Sequence, residues 1–358
     1  MATIVFAGGG SAGHIEPALA VARQWKLTTP ADECIFLGTI SGLENSLVPA
    51  AGFVLSLIPK VKISRNPSGS WIRIPIDLIS SVRACRKVVK GANLLIGFGG
   101  YVSAPAYIAA KMSGVPILIH EANAKPGWAN RFGSIFTKFL AVANPVESGR
   151  FSQALLTGLP LRADVVTAFE EAKDDWSKAR RAAKVRLGFN EVSSLIFFTG
   201  GSQGSVALNK VVHANLEYLN EQGYSVLHAV GQSNLLPAAI GQYQPVPYVH
   251  AMADAYLAAD LIIGRSGAVT CSEFRALGRY ALFVPLPIGN GEQFVNAASL
   301  VQDGRAKVVD QKIFTSEFLR ANLAGLLADS ARAPIAGNGQ DLMAAQKIAA
   351  LAAFAISS

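Results

Sequence analysis

The sequence is poor in cysteine, in histidine and in long apolar runs. Its 358 residues include three cysteines, Cys34, Cys85 and Cys271. They are scattered, odd in number and without metal-ligand spacing. That excludes a disulfide framework and suits small buried hydrophobes in a reducing compartment. The five histidines are equally scattered, and neither HExxH nor CxxC occurs. The chain is 51% hydrophobic. No run approaches the roughly 18–20 uninterrupted apolar residues of a membrane span. The start has no basic leader and opens on a strand-like run, so no signal peptide is expected. No recognised nucleic-acid motif occurs, so no nucleic-acid partner is expected.

Acid is scarce in one place. Residues 1–163 contain 16 Lys and Arg against 7 Asp and Glu, whereas the remainder is nearly balanced. The excess centres on residues 60–90, where Lys60, Lys62, Arg65, Arg73, Arg83, Arg86, Lys87 and Lys90 face a single acid, Asp77. Trp71, Ile72, Ile76, Ile79 and Val82 are interleaved with them. The mixture suits an anionic lipid surface, with Trp71, Arg83, Arg86 and Lys87 as the contact residues. It equally suits a core-facing helix with a solvated basic face.

Strand-like runs alternate with helical patterns along the whole chain. Examples are Thr3–Ala7, Cys34–Leu37, Leu94–Gly97, Pro116–His120, Leu195–Thr199, Ser225–Ala229, Leu261–Gly264 and Ala281–Pro285. This alternation predicts parallel α/β sheets. A weak internal repeat relates ATIVFAGGGSAGHIEPALAVA at the start to SLIFFTGGSQGSVALNKVV at 194–212. Each copy reads as strand, glycine-rich turn and helix, so two Rossmann-like domains are expected. Gly and Pro in TGLPLRAD break the pattern at 157–164. The expected division is 1–163, 164–340 and an Ala-rich terminal helix, 341–358, able to pack back on the first domain.

The first loop contains Gly8-x-Gly10-x-x-Gly13, a dinucleotide fingerprint. That reading requires an acid at the end of the second strand, near Gly38. Glu33 precedes that strand and Glu44 lies well beyond it, which disfavours a nicotinamide enzyme. The loop is better read as backbone N–H groups at a helix N-terminus, offered to an anion. Three further glycine loops follow strands: Gly97–Pro105, Gly200–Gly204 and Arg265–Thr270. Singly they are turn chemistry. Together, with Ser, Thr and Arg beside them, they favour a phosphate-bearing ligand.

GGGSAGHIEPALAVA, GFGGYVSAPAYIAA, HEAN, TGLPLR, FFTGGSQG, RSGAVTCSEFRALG, ALFVPLP and GNGEQFVNA run in order from Ala7 to Ala297. Jointly they resemble the peptidoglycan N-acetylglucosaminyltransferases of glycosyltransferase family 28. The resemblance implies a GT-B fold, two Rossmann-like parallel-sheet domains facing each other across a cleft. It implies inverting transfer of GlcNAc from UDP-GlcNAc to the MurNAc 4-hydroxyl of lipid I, giving lipid II at the cytoplasmic face of the plasma membrane. The lipid-linked acceptor turns the reading of segment 60–90 towards a membrane surface.

Carried over position by position, the resemblance places Ser202 on a phosphate, the Val249 backbone on uracil and Glu273 on the ribose. Ala268, Val269 and Thr270 line the pyrophosphate, and Gln293 and Asn296 the sugar. Ser11, Ala12, Gly13, Asn123 and Arg162 complete the donor pocket. Tyr101 and Ser103 fall on the acceptor side.

The chemistry needs a base for the attacking hydroxyl and stabilisation of departing UDP. Helix N-termini with Arg162 or Arg265 meet the second need. No Asp-x-Asp clamp occurs, so neither a metal nor any other cofactor is expected. His14 is the candidate base, with Glu121 in reserve. Two departures from the family pattern stand out. Ser11 and Ala12 replace Thr and Gly of the usual Gly-Gly-Thr-Gly-Gly-His, so the turn must avoid positive φ at Ala12. Glu292 stands where some relatives carry Gln. The alternatives are a GT-B glycolipid synthase with another lipid acceptor, and a non-catalytic UDP-sugar-binding membrane adaptor.

Overall fold

The structure, a computed structural model, describes residues 1–61, 74–287 and 291–358. The chain divides into two units, Met1–Arg162 with Asp341–Ser358, and Ala163–Gln340.

In the first unit the elements run β1 (Thr3–Gly8), α1 (Ala12–Thr28), β2 (Glu33–Gly38), α2 (Glu44–Ala50), β3 (Val54–Leu57) and α3 (Ile74–Val89). They continue with β4 (Leu94–Gly99), α4 (Ser103–Ser113), β5 (Ile117–Glu121), α5 (Trp128–Gly133), β6 (Phe139–Val142) and β7 (Leu155–Leu156). The second unit begins with α6 (Ala163–Ala172), α7 (Trp176–Arg186), β8 (Leu195–Thr199), α8 (Val206–His213), α9 (Leu216–Glu221) and β9 (Ser225–Ala229). Then come β10 (Tyr243–Val246), α10 (Met252–Ala258), β11 (Leu261–Gly264), α11 (Ala268–Ala276) and β12 (Ala281–Phe283). It closes with α12 (Glu292–Asn296), α13 (Ala298–Gln302), β13 (Ala306–Val308) and α14 (Ser316–Arg332). The chain ends in α15 (Ala344–Ser357), which belongs to the first unit.

The first sheet has the order β3-β2-β1-β4-β5-β6-β7, and the second β10-β9-β8-β11-β12-β13. Every pairing is parallel. Central strands such as Leu195–Thr199 are buried throughout, because helices cover both faces of a parallel sheet. Chain order reverses between β1 and β4, and again between β8 and β11. At such a switch point the crossovers leave on opposite faces and open a crevice beyond the strand C-termini. Each sheet therefore sets two glycine loops side by side at its own crevice.

In the first unit α1 and α15 cover one face. Ala18, Leu19, Ala22 and Trp25 pack in one cluster with Ile4, Phe6, Ile348 and Ala352. On the other face α3 and α4 bury Val82, Cys85, Val89, Ala106 and Tyr107. All three cysteines are free and buried. No helix of the described residues is long and apolar enough to cross a membrane.

Candidate active site

The loop after β1 is shaped by a backbone that only glycine accepts at one point. Gly10 has φ +93°, and a Cβ there would meet the Tyr101 ring at 2.5 Å. Ala12 opens α1, and no described non-glycine residue has positive φ. Ser in place of Thr and Ala in place of Gly are thus both accommodated. Gly100, in the loop after β4, comes so near that a Cβ would lie 2.3 Å from the Gly9 carbonyl oxygen.

His14 lies in the first turn of α1. Its Nδ1 lies 3.2 Å from the Gly9 carbonyl and 3.2 Å from Ser11 Oγ. A carbonyl can only accept, so Nδ1 carries the proton and Nε2 keeps its lone pair. Burial lowers the imidazole pKa below its ordinary value, while the Gly9 carbonyl and the charge of Glu44 raise it. An imidazole in that tautomer is neutral and basic at Nε2 near neutral pH. Ser11, Ala12 and Gly13 are all partly exposed at the start of the same helix. Ser11 is its N-cap, though its side chain makes no capping bond.

Glu44 is the residue that sequence reasoning passed over. It sits beyond β2, too late for a ribose-binding acid, yet its carboxylate turns back into the glycine loop. It is fully buried and accepts from the Gly10 N–H at 3.2 Å, the Thr39 N–H at 2.8 Å and the Tyr101 hydroxyl at 3.2 Å. Tyr101 thereby has its hydroxyl engaged within the protein, with Thr39 Oγ1 also at 2.9 Å. Lys60 Nζ stacks over its ring at 5.0 Å.

Two expected site residues on this side have their polar atoms engaged within the protein. Ser103, taken for the acceptor side, is fully buried. Its hydroxyl lies 2.8 Å from the carbonyls of both Ala7 and Gly99, fastening β1 to β4. Glu121, the reserve base, has both carboxylate oxygens occupied. One accepts from Asn123 N and Nδ2, at 2.9 and 3.1 Å; the other from Gly127 N and Asn130 Nδ2, at 3.0 Å each. Burial pushes its pKa up against those four donors. A carboxylate so filled organises the HEAN loop and holds no spare lone pair aimed at substrate. Asn123 remains partly exposed, as does Arg162, the last residue of the first stretch.

In the second unit Ser202 lies in the Gly200–Gly204 loop, partly exposed. The N-cap of α8 is Ser205, three residues on, whose Oγ accepts from Leu208 N. Ser205 was missed, although a serine immediately before an apolar helical pattern is an N-cap signal. Arg265 reaches the same hydroxyl at 2.8 Å through Nη2, which also donates to Gln311 Oε1 at 2.6 Å. Its Nη1 donates to the carbonyls of Val284 and Pro285, at 2.7 and 3.1 Å. Arg265 is thus a fixed positive charge bonded to neutral groups, and burial lowers its pKa.

Gly267 caps α11, so Val269 and Thr270 lie partly exposed in its first turn. Glu273 falls in the second turn, beyond the helix-dipole position, and is 1% exposed. The Val249 side chain is buried between β10 and α10. Gln293 Oε1 accepts from the Leu286 N–H at 3.0 Å, and Asn296 Nδ2 donates to the Ser266 carbonyl at 3.4 Å. Among the described residues no group of three or more His, Cys, Asp or Glu could hold a metal ion.

The glycosyltransferase family 28 N-terminal domain matches residues 4–142, and the family's C-terminal domain matches residues 195–351. The chain belongs to glycosyltransferase family 28. It is 43% identical to the UDP-N-acetylglucosamine–N-acetylmuramyl-(pentapeptide) pyrophosphoryl-undecaprenol N-acetylglucosamine transferase of Corynebacterium glutamicum strain R. That alignment covers 95% of this chain and 96% of the relative. It is 42% identical to the transferase of the same name from Streptomyces avermitilis, over 92% of this chain and 90% of the relative. Among solved structures it is similar to MurG of Acinetobacter baumannii, with TM-score 0.66 and 26% identity over 99% of this chain and 100% of that one. A UDP-GlcNAc 2-epimerase of Neisseria meningitidis shares the fold at TM-score 0.60 and 12% identity, covering 98% and 99%. The fold is GT-B. The loops after β1 and β4 fall within the N-terminal match, and those after β8 and β11 within the C-terminal one.

Basic helix α3 buries one face and exposes the other. Ser81, Val82, Cys85 and Val89 are buried, while Ile76, Ile79, Arg83, Arg86, Lys87 and Lys90 are exposed. Trp71 lies outside the described residues.

Proposed function

We propose that this chain transfers N-acetylglucosamine from UDP-GlcNAc to the 4-hydroxyl of N-acetylmuramyl-pentapeptide pyrophosphoryl-undecaprenol, lipid I, forming lipid II. The carrying observation is the 43% identity to a transferase of that name over 95% of the chain.

His14 acts as base. The acceptor hydroxyl attacks the anomeric carbon from the face opposite UDP, the carbon–oxygen bond to the diphosphate breaks, and Nε2 takes the hydroxyl proton. Its tautomer, fixed by the Gly9 carbonyl, supports this role over Glu121, whose oxygens are filled. Asn123, Ser11, Ala12 and Gly13 line the sugar side of that reaction centre, and Tyr101 contacts the acceptor.

The donor is held by the second unit. Ser202 and the N-terminus of α8 bind the diphosphate, with Arg265 as a fixed charge behind Ser205 that offsets the negative charge of departing UDP. Ala268, Val269 and Thr270 continue that lining at the start of α11. Glu273 takes the ribose hydroxyls, the Val249 backbone the uracil, and Gln293 and Asn296 the sugar.

The exposed face of α3 binds an anionic lipid surface, placing the acceptor domain against the membrane that carries lipid I. Its cytoplasmic face is where a nucleotide sugar is supplied. Calorimetry with UDP-GlcNAc tests the donor half. Ser202→Ala and Glu273→Ala should each weaken binding about tenfold or more, as expected for hydrogen bonds to charged groups. Wild-type affinity in both would remove these residues from the donor site.

A further inference from the structure

We infer that Glu44 is a positioning residue for His14, acting through the single peptide group that joins Gly9 to Gly10. The inference rests on the reading of His14 as base. The Gly10 N–H donates to Glu44 Oε2 at 3.2 Å, and the Gly9 carbonyl of the same peptide faces His14 Nδ1 at 3.2 Å. Carboxylate, peptide and imidazole therefore form one line of hydrogen bonds. A negative charge on the N–H side polarises the peptide and enriches its carbonyl oxygen. That oxygen then holds the Nδ1–H tautomer more firmly and makes Nε2 more basic. The arrangement does for His14 what a directly bonded carboxylate does for other catalytic imidazoles, at one peptide's remove.

The rest of the pocket fits this role. Glu44 is fully buried, and Thr39 N–H and the Tyr101 hydroxyl hold its other oxygen at 2.8 and 3.2 Å. It thereby ties together the loops after β1, β2 and β4. A Cβ on Gly10 would strike the Tyr101 ring at 2.5 Å, so the ring packs directly against this glycine. The other titratable groups on elements around the ring are Tyr101, Lys60 over the Tyr101 ring, Glu16 on α1, and the buried His120 and Glu121 of β5. Among these groups, Glu44 is the one whose charge raises the basicity of His14.

The test is a pH titration of the ¹⁵N-labelled full chain by NMR. The Gly10 amide proton should move downfield with the same midpoint as the His14 ring, because one peptide serves both. Glu44→Gln should lower the His14 midpoint by about one pH unit, the size expected for one nearby charge at the effective dielectric of a buried site. The acid limb of kcat should shift downward with it. A folded Glu44→Gln chain with an unshifted His14 midpoint would overturn the inference. Should that variant fail to fold, the wild-type signal decides: a Gly10 amide silent through the His14 titration overturns it equally. Normal turnover in His14→Ala would instead overturn the base reading, which the Gly10 titration does not measure.

Discussion

Arg265 Nη2 lies 2.8 Å from Ser205 Oγ, joining the loop after β11 to the N-cap of α8. The two glycine loops of the second sheet are thus fastened to each other by a cation whose partners among the described residues are neutral. Its other partners are the carbonyls of Val284 and Pro285 and the amide oxygen of Gln311. Arg265→Ala removes the charge and strands four acceptors. We expect a loss of about 2–4 kcal/mol in unfolding stability and a rise of about tenfold or more in KM for UDP-GlcNAc. Arg265→Lys should restore stability only in part, since a lysine cannot span the forked geometry. Denaturant unfolding and initial-rate kinetics measure both. Unchanged KM in a folded Arg265→Ala chain would exclude a role at the diphosphate.

His14→Ala should lower kcat by about 10²–10⁴-fold, the usual worth of a positioned base, and leave UDP-GlcNAc affinity within about threefold. Because burial lowers the imidazole pKa, kcat in the wild-type chain should hold up below pH 6.5 before its acid limb falls. Near-normal turnover in His14→Ala would remove it as base.

The two buried histidines outside the glycine loop predict acid sensitivity. His120 is lowered to about 4 and His228 to about 3, both by burial. His228 has both nitrogens bonded, to Tyr243 Oη at 2.9 Å and Asn209 Oδ1 at 3.0 Å. Each pKa is below the unfolded value near 6.5, so the unfolded chain binds more protons between those limits. Stability is then complete above pH 6.5 and falls as pH drops towards 4 and 3, by roughly 3 kcal/mol for His120 alone. Urea unfolding at pH 7 and pH 4.5 reads this. His120→Gln, with the pH dependence of wild type, would refute His120 as a source.

Charge reversal of Arg83, Arg86 and Lys87 to Glu should reduce binding to anionic vesicles by at least about tenfold, and added salt should weaken wild-type binding in the same direction. The three side chains are exposed, so the fold should tolerate the change. Vesicle binding equal to wild type would leave α3 as a core helix with a solvated face.

The fold was legible because period and punctuation agree. Thr3–Ala7 and Leu195–Thr199 read as buried parallel strands and are found as β1 and β8. Glycines after them mark the switch-point loops. Less legible was anything set by a side chain folding back across sequence. Glu44 lies 34 residues from Gly10, and nothing local shows that its carboxylate enters the first loop. Ser103 looked available in GGYVSAP, yet sheet packing turns its hydroxyl onto two carbonyls. Ser205, the cap of α8, was overlooked beside the more visible glycine motif that contains Ser202. Pattern carries the backbone; which polar groups are already satisfied depends on tertiary contact.

The most direct measurement is transfer of radiolabelled GlcNAc from UDP-GlcNAc to a lipid I analogue, with chelator present, following label into the lipid fraction. The account predicts label in the disaccharide-bearing lipid, undiminished by chelator. UDP-GlcNAc binding without transfer to that acceptor would contradict it.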